Sequence, residues 1–171
     1  MRMRRKRNLE PRMEACGAIL VARGKPCKNL KEAAENYRFL IDYSALFGRT
    51  APVELEVGCG NGAFVAELAK RRSGCDFLAV EVCTNVILTA MERVMEEGIP
   101  NVKFLNIAAE ILPCYIPEGS IDRIYLNFST PLPEAGREKQ RLTSDRFLAI
   151  YKKLLKPGGE IIQKTDSEPF F

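Results

Sequence analysis

The run Glu56-Val57-Gly58-Cys59-Gly60-Asn61-Gly62 sets three glycines directly behind a carboxylate. Glycine removes the side chain where backbone must approach a ligand closely and where a positive φ is needed. Gly58, Gly60 and Ala63 formally satisfy the Gly-x-Gly-x-x-Gly/Ala pattern of dinucleotide oxidoreductases, so the glycines alone leave the cofactor class open. Two features favour S-adenosylmethionine (SAM) over NAD. Glu56 attracts the ammonium of a methionine headgroup and would repel a pyrophosphate, and Gly62 follows Gly60 by two positions rather than three. Glu81 falls about 20 residues further on, where a carboxylate accepts hydrogen bonds from both hydroxyls of a ribose. That role serves SAM and NAD equally, and the plainer reading of Glu81 is an exposed carboxylate at a strand end.

The remaining chemistry is narrowed by composition. The chain has 171 residues and no histidine, so a proton acceptor near neutral pH would have to be a shifted carboxylate, lysine or thiol. A reaction that needs no strong base fits better. Its six cysteines form no Cys-x-x-Cys pair, so no metal site is expected, and they read as small reduced apolar residues. No apolar run reaches the roughly 18 to 20 residues of a membrane span. The stretch Ala15 to Ala22 mimics a short secretory signal, but Glu10, Pro11 and Glu14 interrupt its approach, Arg23 and Lys25 follow it, and no Ala-x-Ala site is present. A cytoplasmic protein with no membrane partner is the expectation.

The net charge of +4 is uneven. Residues 1–12 carry six basic side chains (Arg2, Arg4, Arg5, Lys6, Arg7, Arg12) against Glu10, which is +5 and leaves the remainder near −1. Such an arm can displace counterions from nucleic-acid phosphates; the alternative is a merely solvated terminus. A second cluster, Arg137, Lys139, Arg141, Arg146, Lys152, Lys153 and Lys156, is relieved only by Glu138 and Asp145 and points the same way.

These groups need a scaffold, and strand and helix patterns alternate along the chain. Asn29 to Phe47 has apolar residues at helical spacing and a stop at Gly48. Val53 to Val57 reads as a strand running into the glycine loop, and Ala63 to Arg72 as the helix after it. Strands follow at Phe77 to Val82, Val102 to Ile107 and Ile121 to Phe128. Helices fall at Val86 to Glu97, ended by Gly98, and in a short piece at Ala108 to Tyr115. Beyond a polar loop from Ser129 to Arg141, a helix over Thr143 to Lys156 is stopped by Pro157-Gly158-Gly159, and Glu160 to Lys164 is a fifth strand. The order predicts an α/β, doubly wound, mostly parallel sheet with right-handed crossovers. The chain divides into a basic arm at 1–28 and a SAM-binding domain at 29–171.

Taken together these residues resemble the bacterial tRNA (guanine-N7)-methyltransferases over nearly the whole chain. The resemblance is carried by Met1 to Arg7, by Glu54 to Phe64 (ELEVGCGNGAF), by Val102 to Ile107, by Tyr125-Leu126-Asn127-Phe128-Ser129, by Arg141-Leu142-Thr143 and by Lys164-Thr165-Asp166. It implies a Rossmann-like methyltransferase sheet and transfer of the SAM methyl group to N7 of a guanine in tRNA. It also implies cofactor contacts at Glu56, Gly58, Gly60, Gly62 and Glu81, guanine contacts at Thr165 and Asp166, and tRNA contacts from Arg2, Arg4, Arg5, Lys6 and Arg7. The family has Ser-Asp-Pro-Trp-Pro-Lys-Lys-Arg-His after the fourth strand. Here Thr130 stands for the aspartate, Leu132 for the aromatic residue and Glu134 for the substrate-binding lysine. Ala108 occupies a cofactor-side aspartate position, which hands adenine recognition to backbone groups or to Glu110. The sequence ends at Phe171, before the last strands of the usual seven and the Thr-x-x-Glu motif, so the domain is expected to be C-terminally incomplete, with a fifth-strand edge covered by a second copy or a partner. A SAM- and RNA-binding relative with impaired catalysis is the alternative function.

Overall fold

The structure is a computed structural model that describes residues 5–24, 39–130, 132 and 135–167. Its centre is a six-stranded sheet, all parallel, formed by β1 (Leu20–Arg23), β2 (Val53–Val57), β3 (Asp76–Val80), β4 (Val102–Asn106), β5 (Ile121–Asn127) and β6 (Leu155–Lys164) in the order β1-β4-β3-β2-β5-β6. The chain builds outward from β2 through β3 to β4, then returns to the other side of β2 for β5. That reversal opens a crevice at the carboxyl ends of β2 and β5, the place where such sheets bind ligands.

Both faces of the central strands are covered, as parallel sheets require, whereas β6 is only partly covered. One face packs α1 (Leu9–Ala15), α3 (Ala63–Arg71) and α4 (Thr84–Glu96) against Phe77, Ala79 and Phe104. The other packs α2 (Tyr43–Phe47), a 3-10 helix over Ala109–Cys114 and α5 (Asp145–Leu154) against Leu55, Leu78, Ile124 and Leu126. Helix α4 buries Ile87, Leu88, Met91 and Val94, one stripe at helical spacing, and Gly98 at φ 62° ends it. Burying each such side chain stabilises the fold by about 2 kcal/mol.

Four expectations are corrected. The arm at 1–28 is not an arm over 9–23: Leu9 and Met13 of α1 are buried, and β1 joins the sheet beside β4. The helix expected over Asn29 to Phe47 is broken, since residues 39–42 are not helical and Asp42 caps α2, its carboxylate accepting the Ala45 N–H at 3.1 Å; residues 29–38 lie outside the described ones. Helix α5 stops at Leu154 rather than at the Pro-Gly-Gly turn, and β6 begins at once. Between Leu155 and Glu160 the strand advances five residues while β5 advances two, from Ile121 to Arg123. Pro157-Gly158-Gly159 is therefore a bulge inside β6, with Gly158 at φ 79°. The loop from Ser129 to Arg141 contains a 3-10 helix over Ala135–Gln140.

Candidate functional site

Strand β2 puts Val53, Leu55 and Val57 into one core and turns Glu54 and Glu56 to the opposite face, toward α3. Both carboxylates are buried, Glu56 to 3% exposure. Glu54 is held by ion pairs to Arg72 at 2.8 Å and Arg123 at 3.6 Å, and by the Tyr125 hydroxyl at 2.8 Å. Glu56 has no cation beside it among the described residues. Its Oε1 accepts one hydrogen bond from Asn127 Nδ2 at 3.0 Å, and its Oε2 is buried without a partner. Burial pushes the Glu56 carboxyl up to about 7, against the opposing pull of the Asn127 amide and the Val65 backbone N–H.

Above Glu56 the chain turns through Gly58 to Gly62, and the Gly58 and Cys59 N–H groups both donate to Val80 O, at 2.8 and 2.9 Å. Gly60 has φ 56°, and a Cβ placed on it would meet nothing within 4 Å, so this backbone faces open space as a ligand cradle needs. Glu81, just past β3, closes the loop from the side. Its Oε2 accepts the Gly60 N–H at 3.3 Å and its Oε1 the Cys83 N–H at 2.8 Å. Asn106 at the end of β4 fixes that corner, donating to Glu81 O at 2.8 Å and accepting from Thr84 Oγ1 at 2.8 Å.

The crevice has a volume of about 520 Å³, within the range of small-molecule sites. Its walls are the strand ends Val57-Gly58, Val80-Glu81-Val82, Ile107 and Phe128-Ser129-Thr130, closed by Leu132, Arg137, Gln140 and Leu142. The segment beyond β5 is anchored at both ends: the Phe128 N–H donates to Lys164 O at 2.8 Å, and the Arg141 guanidinium donates twice to Leu132 O, at 3.1 and 3.0 Å. Phe128 and Leu132 both hold positive φ, 48° and 44°, a strained conformation that clusters at functional sites.

Residues 50–171 match the model of a family described as putative methyltransferase. The chain belongs to that family. It is 40% identical over 129 residues to the tRNA (guanine-N(7)-)-methyltransferase of Geobacillus sp. strain WCH70, covering 75% of this chain and 59% of the relative. It is 41% identical over 126 residues to the protein of the same name from Geobacillus kaustophilus strain HTA426, covering 74% and 58%. The chain thus spans just under three fifths of the length of these curated relatives. Among solved structures, phosphoethanolamine N-methyltransferase 2 of Haemonchus contortus, in complex with S-adenosyl-L-methionine, superposes at a TM-score of 0.54 with 23% identity, over 71% of this chain and 27% of that one. This shares the fold.

In this methyltransferase-family chain the structure brings Gly58, Glu81 and Thr130 together on the crevice wall, while Glu56 is buried one residue before the wall residue Val57 and is not part of the lining. Gly62 acts differently: it is the residue before α3, pressed against α4 rather than facing the crevice. Ala108 sits just before the 3-10 helix, and its neighbour Ala109 is the residue that lines the crevice. Glu110, the expected substitute at the adenine side, is engaged elsewhere in an ion pair with Arg146 at 2.8 Å. Thr165 and Asp166 follow the end of β6 and are not among the wall residues; Thr165 Oγ1 accepts the Ser167 N–H at 3.1 Å. Arg5 pairs with Glu10 at 2.7 Å, and Lys6 reaches α4, its N–H donating to Asn85 Oδ1 at 3.2 Å and its Nζ bonding Thr89 Oγ1. Arg2, Arg4 and Glu134 lie outside the described residues. Sequence reading assigned no role to Asn127, although the residue belongs to the Tyr125 to Ser129 run. The missed signal is its place at the end of β5, on the same face as Tyr125 and beside Glu56.

Proposed function

We propose that this chain carries the cofactor half of a tRNA guanine-N7 methyltransferase, transferring a methyl group from SAM to N7 of a guanine in tRNA. The observation that supports this most is the 40% identity to relatives of that name, falling on a chain whose bare-backbone loop follows a buried carboxylate with no cation beside it among the described residues. The residues fit the cofactor: an orphaned Glu56 Oε2, an open cradle at Gly60 and a crevice of the right size. Glu56 takes the ammonium, and Glu81, whose oxygens each keep a free lone pair, takes the ribose hydroxyls. The Gly58 to Gly60 backbone lies along the headgroup, Gly62 sets the loop against α4, and Ala108 lies toward the adenine.

When bound, SAM supplies a methyl carbon on a sulfonium; the N7–carbon bond forms as the carbon–sulfur bond breaks and its electron pair leaves on sulfur. Guanine N7 has an in-plane lone pair and no proton, so the protein has no base catalysis to perform. Its task is alignment, which can supply several kcal/mol of the barrier. Thr165 and Asp166 hold the guanine, the Asp166 carboxylate accepting N–H groups and balancing the positive charge that the methylated ring acquires. Thr130, with a hydroxyl on the crevice wall, positions without carrying charge. Arg2, Arg4, Arg5, Lys6 and Arg7 contact tRNA phosphates, and the tRNA substrate places the reaction in the cytoplasm. The test is incubation of the purified chain with SAM and unmodified tRNA transcripts. N7-methylguanosine in the digested RNA by mass spectrometry is the expected result; its absence from a chain that binds S-adenosylhomocysteine overturns the transfer reading.

A further inference from the structure

Glu56 and Asn127 form a bonded pair that is incomplete on both sides. Glu54, Leu55 and Glu56 of β2 pair with Arg123, Ile124 and Tyr125 of β5, so Asn127 stands two residues beyond the neighbour of Glu56, on the same face. One hydrogen bond joins them, Asn127 Nδ2 to Glu56 Oε1 at 3.0 Å. Glu56 Oε2 and Asn127 Oδ1 are both buried with no partner. The Val65 backbone N–H also acts on the Glu56 carboxylate, and buried polar atoms are nearly always satisfied, so the two acceptors still orphaned among the described residues call for a donor from beyond them. The residues that follow each of them, Val57-Gly58 and Phe128-Ser129, line the crevice, so the pair lies one residue behind its wall and is not itself part of the lining. An ammonium brings three N–H donors and a positive charge; a ribose hydroxyl brings one donor and no charge.

We infer that Asn127 is a selectivity residue for the cofactor's amino-acid end: its Oδ1 and Glu56 Oε2 receive two N–H groups of an alkylammonium, while its Nδ2 fixes the Glu56 carboxylate for that contact. The inference rests on the SAM reading of the crevice and adds a second acceptor to it. Burial pushes the Glu56 carboxyl up to about 7, and an arriving cation draws it toward the carboxylate that accepts the N–H groups.

Two ligands separate this role from a structural one. S-adenosylhomocysteine has the ammonium, and 5′-methylthioadenosine shares its adenosine and thioether but has no amino-acid headgroup. In titration calorimetry Asn127→Ala loses about tenfold or more in affinity for S-adenosylhomocysteine, the loss expected for a hydrogen bond to a charged group, and keeps its affinity for 5′-methylthioadenosine. Asn127→Asp keeps an acceptor at the same place and sets a second carboxylate beside Glu56, so its preference for S-adenosylhomocysteine survives and becomes steeper with pH between 6 and 8. Equal losses for both ligands in Asn127→Ala, or no loss, overturn the inference. Should Asn127→Ala fail to melt cooperatively, Asn127→Asp decides, and a pH profile identical to that of the unaltered chain overturns it. If the unaltered chain binds neither ligand, the SAM reading itself falls.

Discussion

Gly62 lies against Ala90 so closely that a Cβ built on Gly62 would stand 2.6 Å from the Ala90 Cβ and 2.9 Å from its Cα. Gly62 is thus the contact through which α3 crosses α4, at φ 75°. Gly60, two residues earlier, has the same sign of φ and empty space where its Cβ would be.

The two glycines therefore predict opposite phenotypes. Gly62→Ala forces backbone to move and adopts a left-handed φ, and is expected to destabilise the chain by about 3 kcal/mol in denaturant titration. Gly60→Ala costs about 1 kcal/mol of stability and weakens S-adenosylhomocysteine binding, because the added methyl group enters the cradle. Equal stability of the two variants would contradict the packing account.

Glu56 makes stability depend on pH with a fixed sign. Its folded-state value of about 7 lies above the unfolded carboxyl value of about 4.3. The fold thus favours the neutral acid: the contribution is fully present below about pH 4 and is lost as pH rises through 7. Glu56→Gln removes the titrating group, so it is expected to match the unaltered chain near pH 4 and to exceed it by about 2 to 3 kcal/mol at pH 8. The same variant loses tenfold or more in S-adenosylhomocysteine affinity. Thermal melts at the two pH values, with calorimetry on the same samples, check both statements; a variant less stable at pH 8 would refute them.

The N-terminal basic residues are not equivalent. Arg5 is paired with Glu10 and Lys6 is bonded to Asn85 and Thr89, so each gives up a partner in order to meet phosphate. Deleting residues 1–7 removes five basic side chains, yet the slope of log affinity for tRNA against log salt is expected to flatten by only about 2 to 3. Filter binding over a salt series measures this. An unchanged slope would leave the arm with no part in RNA binding.

The glycine loop, Glu81 and the order of β2 to β6 were legible because their signals are local: no side chain at a turn, an acid at a strand end, apolar runs between helix stops. The first strand was hidden by its surroundings, since Leu20 to Arg23 is four residues long and lies behind an arginine-rich start that reads as an arm. Pro157-Gly158-Gly159 misled for a related reason. A proline and two glycines stop a helix on any local rule, and only the neighbouring β5 shows that they form a bulge in a strand already begun. Asn127 could not be assigned a role because its meaning lies across the sheet, in a carboxylate 71 residues away. The ion pair of Glu110 with Arg146 is likewise a tertiary fact, formed across 36 residues and invisible in the local sequence.

Among the described residues strand β1 pairs only with β4, Leu20 beside Phe104 and Arg23 beside Asn106. The two strands of this pair are more than eighty residues apart in sequence, and a parallel contact spanning that distance is slow to form. Leu9, Met13 and Leu20 pack in one core with residues that lie as far along as Phe104, so β1 is expected to join a sheet begun by the nearer neighbours β2 and β3 and to cover these side chains late.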